Sequence, residues 1–347
     1  MEKKDNKAPL SGKNKILVIL AAICGVLLVV CIGILVALNS MLNNINRLPE
    51  QDTAATHAQL DGIIDDMEAA EKDPVVQEAE KILNSKNVIN ILLVGQDRRI
   101  WETEERTRTD SMILCTVNLS KKTFTMTSFM RDMWVYIPEY YNSRMNNAYK
   151  LGGFDLLNKT LDYNFGTSAE YNVEIDFSGF MEAVDTIGGV DIELTAAEAK
   201  YLNRRGNWDI EENQNWELTE GLNHLTGSQA LAYSRIRQIG DDFGRTNRQR
   251  TVLTALIDKA RTLGFTEAYR LLRTVMPLIS TDMTNNEIMA LAMAILPALD
   301  DMEIVSQRIP MDGQFSFATK SGGAEVIELS PKNFEANKKL LIAAMED

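Results

Sequence analysis

Histidine and cysteine are scarce: the 347-residue chain has two His and three Cys. Zinc sites draw mainly on those two residue types, so a zinc centre is excluded. Three Cys do not make a disulfide scaffold, and two of them, Cys24 and Cys31, sit inside one apolar run. Cys115 is then left without an intramolecular partner. Nucleophilic triads fare no better. His57 lies among acidic spacer residues, so His224 is the one imidazole in the rest of the chain. There is no phosphate loop and no dinucleotide fingerprint. Positive charge is also short, with a net charge of -13, and a chain of that sign is no general nucleic-acid binder. With 20 Gly, 8 Pro and 45% apolar residues, neither a collagen-like nor a disordered chain fits.

What is present begins with a long apolar run. From Ile16 to Leu38, 23 residues pass without a charge, an amide or a hydroxyl. At roughly 1.5 Å per residue, a helix of that length crosses a hydrocarbon core ~30 Å thick. The competing reading is a secretory signal, whose apolar stretch is usually only about 7–15 residues. No small-x-small cleavage site precedes Asn39, which favours an uncleaved transmembrane helix over 16–38. Residues 1–15 carry Lys3, Lys4, Lys7, Lys13 and Lys15 against Glu2 and Asp5. Positive flanks stay cytoplasmic, so residues 1–15 form a cytoplasmic tail and the remainder lies outside the cell membrane.

Residues 39–86 read as an acidic stalk, with a short helix from Asp73-Pro74 to about Leu83. Beyond it, apolar runs at Val88–Gly95, Ser111–Val117 and Thr123–Phe129 predict strands, the last two forming a hairpin. Gly152-Gly153 opens a helix to about Tyr163, and Tyr171–Asp176 alternates as a strand. A helix over Phe177–Ile187, a strand over Val190–Leu194, a polar loop over 202–217 and a long helix over 245–262 follow. Further helices are expected over about Thr266–Val275 and, after a capping box at Thr284–Glu287, over Ile288–Leu296. Strands alternating with helices indicate α/β, or α+β with a mixed sheet, in one domain over 87–310. Residues 311–347 form a C-terminal extension whose apolar patch, Glu325–Leu329, has no assignable place.

The chemistry concentrates between Tyr233 and Arg250. In an otherwise acidic domain, this stretch gathers Arg235, Arg237, Arg245, Arg248 and Arg250. Arg235 and Arg237 point the same way if the backbone is extended. Arg245, Arg248 and Gln249 share a helix face. Converging guanidiniums suit a multiply charged anion, especially phosphate. A solvated surface neutralised by Asp241 and Asp242 is the other reading of this segment. A second group sits at strand ends: Asp97, the Arg108-Thr-Asp110 step and Arg131-Asp132. Mg²⁺ takes one or two carboxylates together with phosphate oxygens, which Asp97 and Asp110 could offer. Taken singly, Asp97 also reads as a turn residue. Metal and arginines around a diphosphate are what phosphoryl transfer requires, since catalysis there is mostly positioning and charge neutralisation.

At these residues the chain resembles the LytR-CpsA-Psr family of cell-envelope proteins. The resemblance rests on Asn90–Asp97, Arg108-Thr-Asp-Ser111, Ser128-Phe-Met-Arg-Asp132, Asn146-Asn-Ala-Tyr149 with Gly152-Gly153, Asp185–Ile192 and, most specifically, Tyr233–Gln249. It implies a single mixed-sheet domain flanked by helices and a glycopolymer–peptidoglycan transferase acting in cell wall assembly. The implied reaction is Mg²⁺-dependent: a peptidoglycan sugar hydroxyl attacks a polyprenyl-pyrophosphate-linked glycopolymer, and polyprenyl phosphate leaves. By resemblance Asp97 and Asp110 hold the metal. Arg108, Arg131, Arg235, Arg237, Arg245 and Gln249 hold the pyrophosphate, and Asp242 matches a family acid that either orients an arginine or serves as a base. Arg144 stands where the family commonly has Lys, and offers a fork instead of a point charge. Family members often carry an apolar lipid cavity, for which 177–187 and 252–257 are candidate helices. The rival reading keeps the same site without turnover, as a membrane receptor or regulator of polyprenyl-pyrophosphate lipids.

Overall fold

A computed structural model describes residues 46–47, 87–96, 109–204, 216–262, 275–284, 286–288, 291, 295, 299, 301–321 and 323–346. Its centre is a seven-stranded mixed sheet in the order β1-β10-β7-β2-β3-β4-β11. These strands are β1 (Asn46–Arg47), β2 (Val88–Gln96), β3 (Thr109–Asn118), β4 (Thr123–Phe129), β7 (Tyr171–Asp176), β10 (Ile279–Thr281) and β11 (Glu303–Ile309). β2, β3 and β4 form the antiparallel middle. β7 runs parallel to β2, and β11 parallel to β4. The β3–β4 hairpin and the β7 strand stand where alternation and β-branching place them. At one edge Asn46–Arg47, from the segment read as a stalk, pairs in parallel with β10.

Three two-stranded ribbons complete the strands: β5 (Trp134–Tyr136) with β6 (Asn142–Arg144), β8 (Val190–Leu194) with β9 (Gly221–Leu225), and β12 (Ser316–Thr319) with β13 (Glu325–Glu328). The helices named here are α1 (Asn146–Phe165), α2 (Phe177–Thr186), α3 (Ala196–Leu202), α4 (Gly227–Arg235), α5 (Asp241–Arg261) and α6 (Pro331–Met345).

The two faces of the sheet are covered differently. Leu92, Val94, Met112 and Leu114 pack with Leu157 and Leu161 of α1 and Leu341 of α6. Ile113, Cys115 and Met126, which point the opposite way, meet Leu253 and Ile257 of α5. The expected C-terminal extension is therefore part of the core. Ile327 and Leu329, the unplaced apolar patch, are buried in the first cluster, and Ile327 bridges to Met133. Near neighbours in sequence could not have revealed that partner.

Two helix boundaries differ from expectation. α1 begins at Asn146, and Gly152-Gly153 is a kink inside it. Gly153 has φ 63° and ψ -149°, a conformation essentially confined to glycine, so the pair interrupts a helix already begun. α5 starts at Asp241, four residues early, because the Asp241 carboxylate accepts from the backbone N–H of Phe243 at 2.8 Å and caps the first turn. The capping box at Thr284–Glu287 forms, with Thr284 Oγ1 2.8 Å from the Glu287 carboxylate. Among the described residues no helix is long and apolar enough to cross a membrane, and 16–38 lies outside them. The expected helices at 73–83 and 266–275 also lie outside, except Val275, as does most of the polar loop, 205–215.

Candidate active site

Between the sheet and helices α2, α4 and α5 lies a cavity with about 830 Å³ of atom-free space, part of it open to solvent. Its walls are mostly apolar: Leu93, Ile113 and Ile175 from the sheet, Phe177 and Phe180 from α2, Leu231 from α4 and Leu253 from α5. One end is polar, formed by Asp110, Ser234, Arg235, Arg237, Arg245 and Gln249. Arg245, Gln249 and Leu253 are four apart on α5 and make one ridge that runs from the charged end into the apolar part. Close helix packing keeps the wall in place. At Gly227 a Cβ would stand 2.2 Å from the Met181 carbonyl oxygen, so only glycine lets α4 start against α2.

The charged end is a network around two carboxylates. Asp110 accepts from Arg131 through a short contact and from Arg237 Nη2 at 2.8 Å, while Arg245 Nη1 lies 3.8 Å away. Asp242 accepts from Arg131 Nε at 3.1 Å and Nη2 at 3.3 Å, and from Arg245 Nη2 at 3.0 Å. Asp242 therefore orients two arginines. Burial works to raise the Asp110 carboxyl, but the Arg245, Arg131 and Arg237 guanidiniums outweigh it and hold the group below the usual carboxylate range. For Arg131, burial is outweighed by Asp110, Asp242 and Asp132, which hold its pKa up. Arg245 goes the other way. Burial pulls its pKa down, with Asp242 opposing and Arg131 adding to the fall.

Arg245 is the least ordinary side chain of the group. It is 2% exposed, and its Nε and Nη1 have no hydrogen-bond partner. A buried cation with two idle donors is costly unless an anion meets it. With Arg235, four guanidiniums gather here beside the carboxylates of Asp110, Asp242 and Asp132, the last 3.3 Å from Arg131 Nε, and Asp176 also lines the cavity. Arg235 stacks over the Phe177 ring at 4.5 Å.

Several expectations change on this geometry. Arg235 is the last residue of helix α4, not part of an extended segment, although it and Arg237 both reach the cavity. Arg248 leaves the arginine face. Three residues on from Arg245 it turns inward to Glu198 at 2.6 Å, and to the carbonyls of Ile236 and Ile239. Arg250 is buried against Ser306. Arg144 donates to the Glu325 carbonyl, with Asp132 3.5 Å away, and does not line the cavity. Asp97 and Arg108 lie outside the described residues. Gln96, just before Asp97, pairs with Thr109, the neighbour of Asp110. Singling out Phe177, Phe180 and Leu253 from ordinary core required the structure, though the spacing of Leu253 from Gln249 and Arg245 was a usable signal.

Among the described residues no group of three or more His, Cys, Asp or Glu could hold a metal by itself. Asp110 is nonetheless an ionised, hard oxygen donor at the cavity mouth. Each carboxylate oxygen has a second lone pair beyond the one a guanidinium engages. One such carboxylate fits Mg²⁺, which takes most of its ligands from water and phosphate.

A sequence model of the LytR_cpsA_psr family matches residues 54–342. The chain belongs to this family. It is 32% identical over 248 residues to the polyisoprenyl-teichoic acid–peptidoglycan teichoic acid transferase TagU of Bacillus cereus, covering 70% of this chain and 75% of TagU. It is also 32% identical over 186 residues to the regulatory protein MsrR of Staphylococcus aureus, and so spans about half the length of that relative, 53%. Crystallised TagT from B. subtilis has the same fold, with a TM-score of 0.59 at 24% identity over 75% of this chain and 91% of TagT. A structure of the family protein YwtF (TagT) with bound octaprenyl pyrophosphate lipid superposes with a TM-score of 0.57, at the same identity and coverage.

Proposed function

We propose that this protein is a membrane-anchored phosphotransferase that moves a glycopolymer from a polyprenyl-pyrophosphate donor onto a peptidoglycan sugar hydroxyl. One observation carries the reading: the buried Arg245 guanidinium, held by Asp242 through Nη2 but with no hydrogen-bond partner at Nε and Nη1, stands where an apolar cavity meets a cluster of arginines. A polyprenyl chain fills the apolar part, and the pyrophosphate meets the arginines. The name of the TagU relative and the lipid bound in the TagT structure support the same reading. Residues 16–38 supply the anchor and place the domain outside the cell, where both substrates reside.

In this mechanism the acceptor oxygen bonds to the sugar-side phosphorus while the bond from that phosphorus to the bridging oxygen breaks. The electron pair leaves with polyprenyl phosphate, and the hydroxyl proton passes to water. Arg245, Arg237 and Arg131, joined by Arg235 and Gln249, take the phosphate oxygens, and guanidiniums fixed in advance stabilise charge without reorganising. Asp242, which accepts from Arg131 and Arg245, keeps them aimed and is not the base. Arg108 is a further phosphate ligand on the strength of the resemblance. Mg²⁺, held by Asp110 and Asp97, would supply further neutralisation of phosphate charge.

The deciding experiment incubates the full-length protein in detergent with a labelled polyprenyl-pyrophosphate oligosaccharide, Mg²⁺ and a peptidoglycan oligomer, beside Arg245→Ala and Asp97→Ala. Label reaching the peptidoglycan, and lost in both variants and in EDTA, is the expected result. Full activity in both variants would place the chemistry elsewhere. Donor binding that survives EDTA, with no transfer at all, would make the protein a receptor.

A further inference from the structure

Across the arginines from the cavity, Phe317 stands exposed over two half-buried rings, Phe243 and Phe315. Phe243, the residue after Asp242, stacks on Phe315 with ring centroids 4.9 Å apart, and Phe317 meets both rings edge-on at 5.5 and 6.3 Å. Phe317 is 71% exposed on β12. The Arg308 guanidinium lies 4.4 Å from the Phe243 ring centroid. The β12–β13 hairpin is tied to the segment that carries Arg131: the Ile327 N–H donates to the Asp132 carbonyl at 2.9 Å, and Phe317 is paired with Ile327. Phe243 and Phe315 pack on the α1/α6 side of the sheet, whereas the cavity lies on the α5 side.

We infer that Phe317, with Phe243 and Phe315 beneath it, is the docking surface for the glycan strand of the peptidoglycan acceptor. The inference rests on the proposed transferase reading and extends it to the second substrate. In-line displacement sets the attacking oxygen opposite the leaving one. Polyprenyl phosphate departs into the cavity, so the acceptor arrives from the other side of the arginines, where the aromatic rings are. Phe317, left 71% exposed over two half-buried rings, offers an aromatic ring to a ligand that arrives on this side. The aromatic ring face is electron-rich and meets the electropositive C–H face of a pyranose, an apolar contact that a sugar polymer can offer and its hydroxyls do not oppose. The Arg308 guanidinium, stacked on Phe243, is paired with Asp312 and so fixes the ring that it covers.

The test uses the full-length protein in detergent, with Phe317→Ala and Phe317→Trp, in two measurements. One is direct binding of a peptide-free peptidoglycan glycan oligomer, without donor. The other is the KM for acceptor and for donor in the transfer assay. Phe317→Ala is expected to weaken glycan binding and raise the acceptor KM about tenfold, leaving the donor KM unchanged, while Phe317→Trp keeps both near wild type. An unchanged acceptor KM and unchanged glycan binding in Phe317→Ala would overturn the inference while leaving the transferase reading intact. A raised donor KM alone would assign the patch to the donor's first sugar. Glycan binding that needs Phe317 in a protein with no transfer activity would keep the docking surface and remove the transferase.

Discussion

The Arg248 guanidinium lies 2.6 Å from the Glu198 carboxylate, in a pair whose side chains are 6% and 9% exposed. The remaining donors of Arg248 reach the carbonyls of Ile236 at 3.2 Å and Ile239 at 2.7 Å, on either side of Arg237. Glu198, besides holding Arg248, closes the capping box of α3 with Thr195. An arginine that sequence spacing assigns to the anion site is therefore a strut for the loop that presents Arg237.

Breaking this pair has a predictable cost. Removing one partner of a buried ion pair typically costs about 3–5 kcal/mol, because the other charge is left without compensation. Glu198→Ala is expected to lose stability in that range by urea unfolding, far more than the exposed pair Lys122–Asp301 would lose on Lys122→Ala. Arg248→Lys keeps the charge but cannot span two carbonyls and a carboxylate, so it is expected to destabilise as well and to raise the donor KM through Arg237.

Arg245 should behave in the opposite sense. Its buried Nε and Nη1 lack partners, and Asp242 keeps Arg131 if Arg245 is removed. Arg245→Met is therefore expected to leave the melting temperature unchanged or raise it, while transfer falls about 10²-fold or more, the usual loss for a preorganised oxyanion donor. A variant that loses stability in step with activity would show that Arg245 is a structural cation.

How far the sequence carried can be judged at particular elements. Tyr171–Asp176 and Val190–Leu194 were legible because strand alternation is local. That arginines would gather was legible, since Arg235, Arg237 and Arg245 stand close in sequence and line one cavity. Sorting them was not. One step of three or four residues on α5 decides between the cavity and the Glu198 pocket, and Glu198 is 50 residues away from Arg248. Glu325–Leu329 stayed unplaced for the same reason: its hairpin partner β12 is close by, but the core that it joins at Met133 is distant in sequence. The kink in α1 was misread as a start because a Gly pair marks both.

Acid should weaken the fold through the two depressed carboxyls. Burial raises Glu198, but the Thr195 backbone N–H and Arg248 together outweigh it, and Asp110 is held down by its arginines. A carboxyl with a lowered folded pKa contributes stability above its unfolded value, about 4, and loses it as pH falls through the folded one. Thermal midpoints are thus expected to be flat from pH 7 to about 5.5 and to drop steadily below about pH 4.5. Glu198→Gln starts lower at pH 7 and declines with a shallower slope.

Cavity and anion site can be separated experimentally, because Leu253 lines the apolar part and Arg245 the charged end of one helix ridge. Leu253→Trp adds bulk to the wall, at a cost of about 1–3 kcal/mol if the neighbours must shift. Polyprenyl pyrophosphate needs both regions, whereas inorganic pyrophosphate needs only the guanidiniums. Leu253→Trp is expected to weaken the lipid by at least tenfold in titration calorimetry and to leave inorganic pyrophosphate unchanged, while Arg245→Met weakens both. If Leu253→Trp bound the lipid as wild type does, the prenyl chain would have to lie outside this cavity, and the arginines alone would account for donor recognition.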